Sequence, residues 1–364
     1  MPSIDDLLAE ARRQTAVCNG CRYCEGYCAV FPALERLPLL EAGDLGYLAN
    51  LCHDCRACYQ ACMYTPPHEF GIEIPQLMSA SREASYERYA RPRWLARAFA
   101  QGPASIAALT LAGIVVYVLL AWAAGTVSAI VTPGAGPRAF YDVVPYALML
   151  VPGLLLSLFV LLVMGAGLAA FWRETSGSRL PGPAVVAAAC REVLTMRWLG
   201  GGGGGCYWPE EEAPSQGRRV LHQLLAGGFL LALASTTLAA VFQDLLGQEP
   251  PFPLLHPVVL LGTAGGVGMV VGATGLLWLR RRAAALGSAA ESRLNTTFLV
   301  ALDAASLSGL ALLAFRGTPA MGGLLILHLG TLAALYLTAP YGKAVHTVYR
   351  FGALLRSAAE RRAP

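Results

Sequence analysis

Two stretches decide the reading of this chain: CNGCRYCEGYC, Cys18–Cys28, and CHDCRACYQAC, Cys52–Cys62. Both have the spacing C-x2-C-x2-C-x3-C. Two-residue gaps let three sulfurs converge on one cluster face, while the fourth sits on a turn pointing away. In two-cluster ferredoxin-type folds that fourth cysteine ligates the other cluster. The spacing therefore predicts one [4Fe–4S] cluster on Cys18, Cys21, Cys24 and Cys62, and a second on Cys52, Cys55, Cys58 and Cys28. Ala29 and Met63 stand where a proline usually follows the fourth cysteine. Zinc ribbons use pairs of C-x2-C rather than triplets. Disulfides do not suit three cysteines within seven residues. The segment before them, MPSIDDLLAEARRQTAV, carries Asp5, Asp6 and Glu10 and lacks a signal-peptide core. The expectation is a cytoplasmic, reducing location, where clustered thiols bind metal. Cys190 and Cys206 fall outside both motifs and read as structural.

Beyond the cysteines the composition changes to suit a different solvent. The chain has 364 residues, 55% hydrophobic and 14% charged, against about 25% charged in a soluble domain. Residues 1–100 read as a soluble domain with a polar helix over Pro75–Ala90 and a linker, RPRWLARAF, in which Arg91, Arg93 and Arg97 suit a membrane face and Trp94 an interface. Six apolar runs come next: Ser105–Ala124, Val143–Phe171, Leu221–Gln243, Pro257–Leu279, Thr296–Phe315 and Gly322–Ala339. Each is near or above the ~20 residues that span a bilayer. Residues 101–346 thus read as a six-helix bundle and 347–364 as a basic tail. The fold class expected is an α-helical membrane protein with an N-terminal ferredoxin-like domain.

Basic residues set the orientation. The segments 172–220, 280–295 and 340–364 carry six, four and five Arg or Lys, whereas the three opposite loops carry only Arg138 and Arg316. The positive-inside rule then places both termini and the cysteine domain in the cytoplasm. Loop 173–217 holds LGGGGGGCYW and reads as linker; no G-K-[ST] comes after it to make a phosphate loop. No basic stripe with interleaved aromatics suggests nucleic acid.

Four of the six histidines lie at the membrane: His222, His256, His328 and His346. Intramembrane ionisable groups are costly, which marks them as functional candidates. His328 and His346 are 18 residues apart, five helical turns on one continuous helix, or about 27 Å. Two stacked b-type haems fit that spacing: an inner one on His222 and His346, an outer one on His256 and His328. Arg218, Arg219 and Lys343 are candidates for propionates or for topology anchoring. GTAGGVGMVVGATG carries G-x-x-x-G at Gly262/Gly266 and Gly268/Gly272, for close helix packing or for a flat porphyrin surface. Asp303 is either a proton relay or is hydrogen-bonded to Ser306 or another polar side chain. His53, inside a cysteine module, is either a cluster neighbour or solvated.

The segments CNGCRYCEGYCAVFPALE (18–35), DLGYLANLCHDCRACYQACMYTPPHEF (44–70), RRVLHQLLAGGFLLALASTT (218–237) and HLGTLAALYLTAPYGKAVHTVYR (328–350) resemble the tricarballylate/citrate-utilisation membrane Fe–S protein family (TcuB/CitB) over nearly the whole chain. The resemblance implies a protein of the bacterial inner membrane that carries Fe–S and haem. It would reoxidise the flavin of a partner FAD-dependent tricarballylate dehydrogenase and pass electrons to the membrane quinone pool. The histidine spacing also resembles the haem-bearing gamma subunit of respiratory nitrate reductase, which has two histidines on each of two helices. Here the third helix carries only His222, with Gln243 near its outer end. The competing readings are a tricarboxylate transporter with a redox-sensing Fe–S domain, which predicts cationic residues at the midplane, and a structural anchor for a dehydrogenase. The absence of a nucleophile triad, P-loop or nicotinamide fingerprint leaves substrate chemistry to a partner.

Overall fold

The computed structural model describes residues 3–99, 102–134, 136, 138–176, 181–203, 214–282 and 289–362. Cys206 and the last two glycines of the run lie outside them. The N-terminal domain holds α1 (Ile4–Cys21), α2 (Val30–Leu34), α3 (Ala42–Leu51), α4 (Ala57–Gln60) and α5 (Ile74–Tyr89). Sequence-local chemistry sets their ends. Ser3 and Asp6 form a reciprocal capping box on α1, and Glu41 and Asp44 form one on α3. Pro75 opens α5, where its missing N–H costs nothing.

Both cysteine modules bend at equivalent residues. Arg22 and Arg56 each come directly after the second cysteine of their module, and both are left-handed, at φ 55° and 63°. Asp54 is left-handed too, at φ 54°. Such geometry is uncommon outside glycine. Here it curls the chain tightly between ligand positions, and its recurrence shows the two modules to be one backbone motif used twice.

A short linker helix, α6 (Arg93–Phe99), leads to the bundle. Its long helices are α7 (Pro103–Ala123), α9 (Tyr146–Ser176), α11 (Gly217–Asp244), α12 (Pro257–Arg282), α13 (Ala289–Phe315) and α14 (Met321–Thr338). The shorter α8 (Ala139–Val143) lies between α7 and α9, and α10 (Pro183–Thr195) comes after α9. The described residues contain six helices long and apolar enough to cross a membrane. The chain is a multi-pass membrane protein.

Glycines of α12 settle their own role. A Cβ at Gly265 would stand 2.7 Å from the Gly228 carbonyl of α11, and one at Gly272 would stand 2.6 Å from the Leu225 backbone nitrogen. Backbones this close exclude side chains, so these positions serve helix packing. The pairing predicted from sequence is redistributed: Gly268 and Gly272 face α11, Gly266 meets Leu310 of α13, and Gly262 meets Ser235.

Two expectations change at the C-terminal end. The helix does not run unbroken from His328 to His346. Pro340 lacks the N–H that would continue α14, so the chain passes through a 3-10 turn at Ala339–Tyr341 and restarts as α15 (Val345–Glu360). The five-turn register between the two histidines therefore does not hold. Nor is 347–364 a free tail. Tyr349, Ala353 and Leu354 of α15 are buried in one core with Leu45, Leu48 and Met78 of the cysteine domain and Phe171 of α9. Arg356 stacks on Tyr47 at 4.0 Å and pairs with Asp44 and Glu360. This last helix clamps the cysteine domain to the bundle.

Candidate redox site

The eight thiols sort by their mutual repulsion. Burial pushes the Cys18 thiol up to about 12, with Cys62, Cys24 and Cys21 adding to it. Burial, then Cys62 and Cys21, push Cys24 up to about 11. Cys28 is pushed well up by burial, then by Cys55 and Cys52. Cys58 is raised by burial, then by Cys55, Cys28 and Cys52. Cys18 and Cys24 thus have Cys21 and Cys62 as their main thiol neighbours, and Cys28 and Cys58 have Cys52 and Cys55. Cys24 is the link between them, since it also feels Cys55 and is felt by Cys58.

This crowding holds thiols that strongly resist ionising one by one; coordinated iron would deprotonate them. Backbone N–H groups already point at sulfur: Tyr64 donates to Cys62 at 3.4 Å, and Val30 and Phe31 donate to Cys28. Cys28, Cys52, Cys55 and Cys58 line a cavity of ≈ 20 Å³ walled by Tyr27, Phe31 and Ile74. Among the described residues no three Cys, His, Asp or Glu are gathered closely enough to hold a single metal ion. Donor groups made of cysteine alone would suit iron–sulfur clusters, which take one thiolate per iron.

His53 is 5% exposed and lies beside Cys55, with both ring nitrogens enclosed; burial lowers its pKa and keeps it neutral. It is not solvated. His68 accepts from the Phe70 N–H at 3.1 Å and packs between Tyr64 and Phe70.

The second module is gripped from three sides by arginine. The Cys52 carbonyl accepts from Arg82 of α5 at 2.8 Å and from Arg350 of α15 at 2.5 Å. The Asp54 carbonyl accepts from Arg218 of α11 at 2.5 Å. Arg218 lies one turn before His222, and Arg350 one turn after His346. The two histidines come together next to this clamp: their ring centroids are 6.1 Å apart and their planes cross at 87°. That separation would let the two imidazoles, His222 and His346, hold one metal between them, at bonds of about 2 Å each. His346 Nδ1 donates to the Lys343 carbonyl at 2.6 Å, which leaves Nε2 as the free lone pair. His222 Nδ1 is buried without a partner. The donor set suits a bis-histidine haem.

Each outer histidine has neighbours of its own. His256 stacks on Phe252 at 4.6 Å, meets Phe242 edge-on, and accepts from the Val258 N–H. His328 bonds Ser308 at 3.0 Å and touches Gly309 of α13. Gln243 accepts from the Tyr141 hydroxyl. Asp303 is bonded by Thr274 of α12 at 3.0 Å, while Ser306 turns to its own helix. Arg219 donates to the Thr195 carbonyl at 2.9 Å and Lys343 pairs with Glu291 at 2.8 Å, so both cations have protein partners.

The chain's N-terminal part, residues 11–88, matches the family model for the citrate utilization protein B Fer4-like domain, and residues 92–364 match that for citrate utilization protein B. The chain belongs to the citrate utilization protein B family. It is 41% identical over 357 residues to citrate utilization protein B of Escherichia coli, covering 97% of this chain and 93% of that protein. No solved structure matches. The Fer4-like domain of this citrate utilization protein B relative is thus the part that bears the eight cysteines.

Sequence reading does not single out Arg82, Arg350 or Glu291. Glu291 accepts from Arg82 at 2.7 Å and Lys343 at 2.8 Å, and its other oxygen accepts from Ser79. One signal exists: a lone acid at the start of an apolar run, on the side richest in arginine, needs a partner.

Proposed function

We propose that this protein is a membrane electron conduit. It would take electrons from the reduced flavin of a soluble dehydrogenase of tricarballylate or a related tricarboxylate, and deliver them to membrane quinone. The observation that carries the reading is the arginine clamp. The residues that seize the backbone of the second cysteine module, Arg218 and Arg350, stand one turn from the paired His222 and His346. A protein that merely anchored a dehydrogenase would not need thiol sets and histidine pair held in one rigid assembly.

When bound, [4Fe–4S] clusters and haem b supply one-electron carriage, which divides the electron pair of a flavin. The chain's own groups do the rest. Cys18, Cys21, Cys24 and Cys62 hold the first cluster, and Cys28, Cys52, Cys55 and Cys58 the second. Arg82, Arg218 and Arg350 place positive charge against the second module, which favours its reduced, more negative state. His222 and His346 hold the inner haem; His328 and His256 are the candidates for an outer one. Fifteen basic residues on the side of the cysteine domain against two on the other support cytoplasmic termini in a bacterial inner membrane. The two arginines on the far side are tied down there: Arg138 pairs with Glu249, and Arg316 donates to the Phe252 carbonyl.

The test is a dithionite-reduced minus oxidised spectrum of anaerobically purified protein, with iron, sulfide and haem assayed on the same sample. A b-type haem band with about eight non-haem irons is expected. Clusters without haem would remove the roles given to His222 and His346.

A further inference from the structure

We infer that His53 is a positioning residue for electron transfer: in the loaded protein its ring N–H donates to the Cys55 sulfur and makes the second cysteine module easier to reduce. The inference rests on the conduit reading above and assigns one further residue within it.

The backbone fixes His53 from both ends. It is the residue between two clamped carbonyls. The Cys52 carbonyl before it accepts from Arg82 and Arg350, and the Asp54 carbonyl after it accepts from Arg218. Asp54 is left-handed at φ 54° and turns the chain directly after His53. Arg218 and Arg350 stand one turn from His222 and His346, so His53 belongs to the part of the module that is tied to the histidine pair. Its side chain also lines the small cavity that Cys28, Cys52, Cys55 and Cys58 share.

The surroundings of the ring make it a donor rather than filler. His53 is 5% exposed, yet neither ring nitrogen has a hydrogen-bond partner among the described residues. Buried polar atoms nearly always have one, and a bare donor costs free energy. The titratable groups that bear on the ring are Cys55, Arg350 and Arg218. A guanidinium has donors only, so of these three the sulfur alone can accept from an imidazole N–H. A thiol accepts weakly; a thiolate bound to iron accepts strongly. The counterpart of His53 in the first module is Asn19, which is half-buried beside exposed Gly20. The enclosed histidine is therefore a property of the second module and not of the shared backbone motif.

Hydrogen bonds to the sulfurs are among the factors that set iron–sulfur potentials. An added electron makes the sulfurs more negative, so a fixed N–H favours the reduced state. The step served is a one-electron transfer. The partner's reduced flavin gives the electron, the second module takes it, and His53 keeps its proton throughout.

The experiment is an EPR-monitored redox titration of the full-length protein in lipid nanodiscs, with iron and sulfide assayed on each sample. Cys55→Ser identifies the signal of the second cluster by its loss. In His53→Leu the reduced-to-oxidised ratio of that cluster at a fixed potential should fall about tenfold, as for one hydrogen bond to a charged acceptor, or about 59 mV for one electron. The first cluster should not move. His53→Gln, which keeps an N–H, should restore most of the ratio. Protein labelled with heavy-nitrogen histidine should show a weak nitrogen coupling on the reduced second cluster by spin-echo modulation, lost in His53→Leu. An unchanged ratio in His53→Leu, an equal shift of both clusters, or the same shift in His53→Gln overturns the inference; with about eight irons retained, the conduit stands. If His53→Leu does not assemble the second cluster, the wild-type coupling decides: its presence supports the inference and its absence overturns it. About four irons in the wild type would remove the second module from the conduit and this inference with it.

Discussion

Removing the carboxylate of Glu291 should loosen the cysteine domain from the bundle far more than its single position suggests. Glu291 sits at the start of α13 and receives Arg82 of α5 at 2.7 Å and Lys343, just before α15, at 2.8 Å. Side-chain exposures are 10%, 4% and 17%, so water screens little. Arg82 spends its remaining donors on the Ala49 and Cys52 carbonyls. In Glu291→Ala both cations stay buried and lose their counter-charge. Removing one partner of a buried pair costs about 3–5 kcal/mol, which raises an opening equilibrium about 100- to 4,000-fold. The assay is hydrogen–deuterium exchange of amides in 45–52 and 77–86, measured in nanodiscs with the cofactors loaded. Arg88→Ala is the matched control: it breaks a pair with Glu174 whose side chains are 47% and 26% exposed, and a surface pair is worth at most about 1 kcal/mol, about fivefold. If the two variants exchange alike, the network is not what docks the domain and the reasoning fails.

Other outcomes rest on the same geometry. Cys55→Ser should lower non-haem iron from about eight to about four per chain and stop flavin reoxidation while leaving the partner bound; unchanged reoxidation would remove the second module from the route. His222→Ala or His346→Ala should each abolish the inner b-type haem band, and retention of the full band would show that other ligands serve. Gly272→Leu should overpack α11 against α12, at a cost of about 1–3 kcal/mol or more, read as a fall in thermal midpoint of the detergent-purified protein; no fall would mean that the helices part freely. Arg350→Ala should lower the midpoint potential of the second cluster, because a cation beside Cys52 favours the reduced state; an unchanged potential in a redox titration would make Arg350 a purely structural tie.

The cysteines and the spans are legible in the sequence for simple reasons. Ligand spacing is local, and a span must be continuously apolar because lipid offers no alternative partner. Residues Cys18–Cys28 and Cys52–Cys62 therefore mark a Fer4-like domain directly in the sequence. Membrane depth pairs His222 with His346 and the rings do meet, but the argument from an unbroken helix fails at Pro340, whose effect is local. The sequence hides whatever depends on contact between distant segments. Arg82, Arg218 and Arg350 look in sequence like ordinary surface or topology charges. Their work, binding the carbonyls of Cys52 and Asp54, uses acceptors that every residue possesses and that leave no mark in a sequence.

The two modules share one backbone design, with Arg22 and Arg56 in the same left-handed turn, yet they are buried very differently. Cys21 is exposed and Cys18, Cys24 and Cys62 are half-buried, whereas in the other set Cys28, Cys52 and Cys55 are buried and Cys58 is half-buried. Beside the first set, Tyr23 and Met63 stand 66% and 73% exposed, offering apolar contact to a soluble partner. Arg56, the counterpart of exposed Arg22, is 2% exposed. Two copies of one backbone motif that are buried so differently face different neighbours. The accessible half suits a flavoprotein arriving from water, and the enclosed half, clamped by Arg218 and Arg350, suits transfer onward into the bundle. On the conduit reading proposed above, burial rather than the ligands would set the direction of electron flow, and grafting the exposed surroundings of the first module onto the second should leave cluster assembly intact but short-circuit the route to dissolved oxidants.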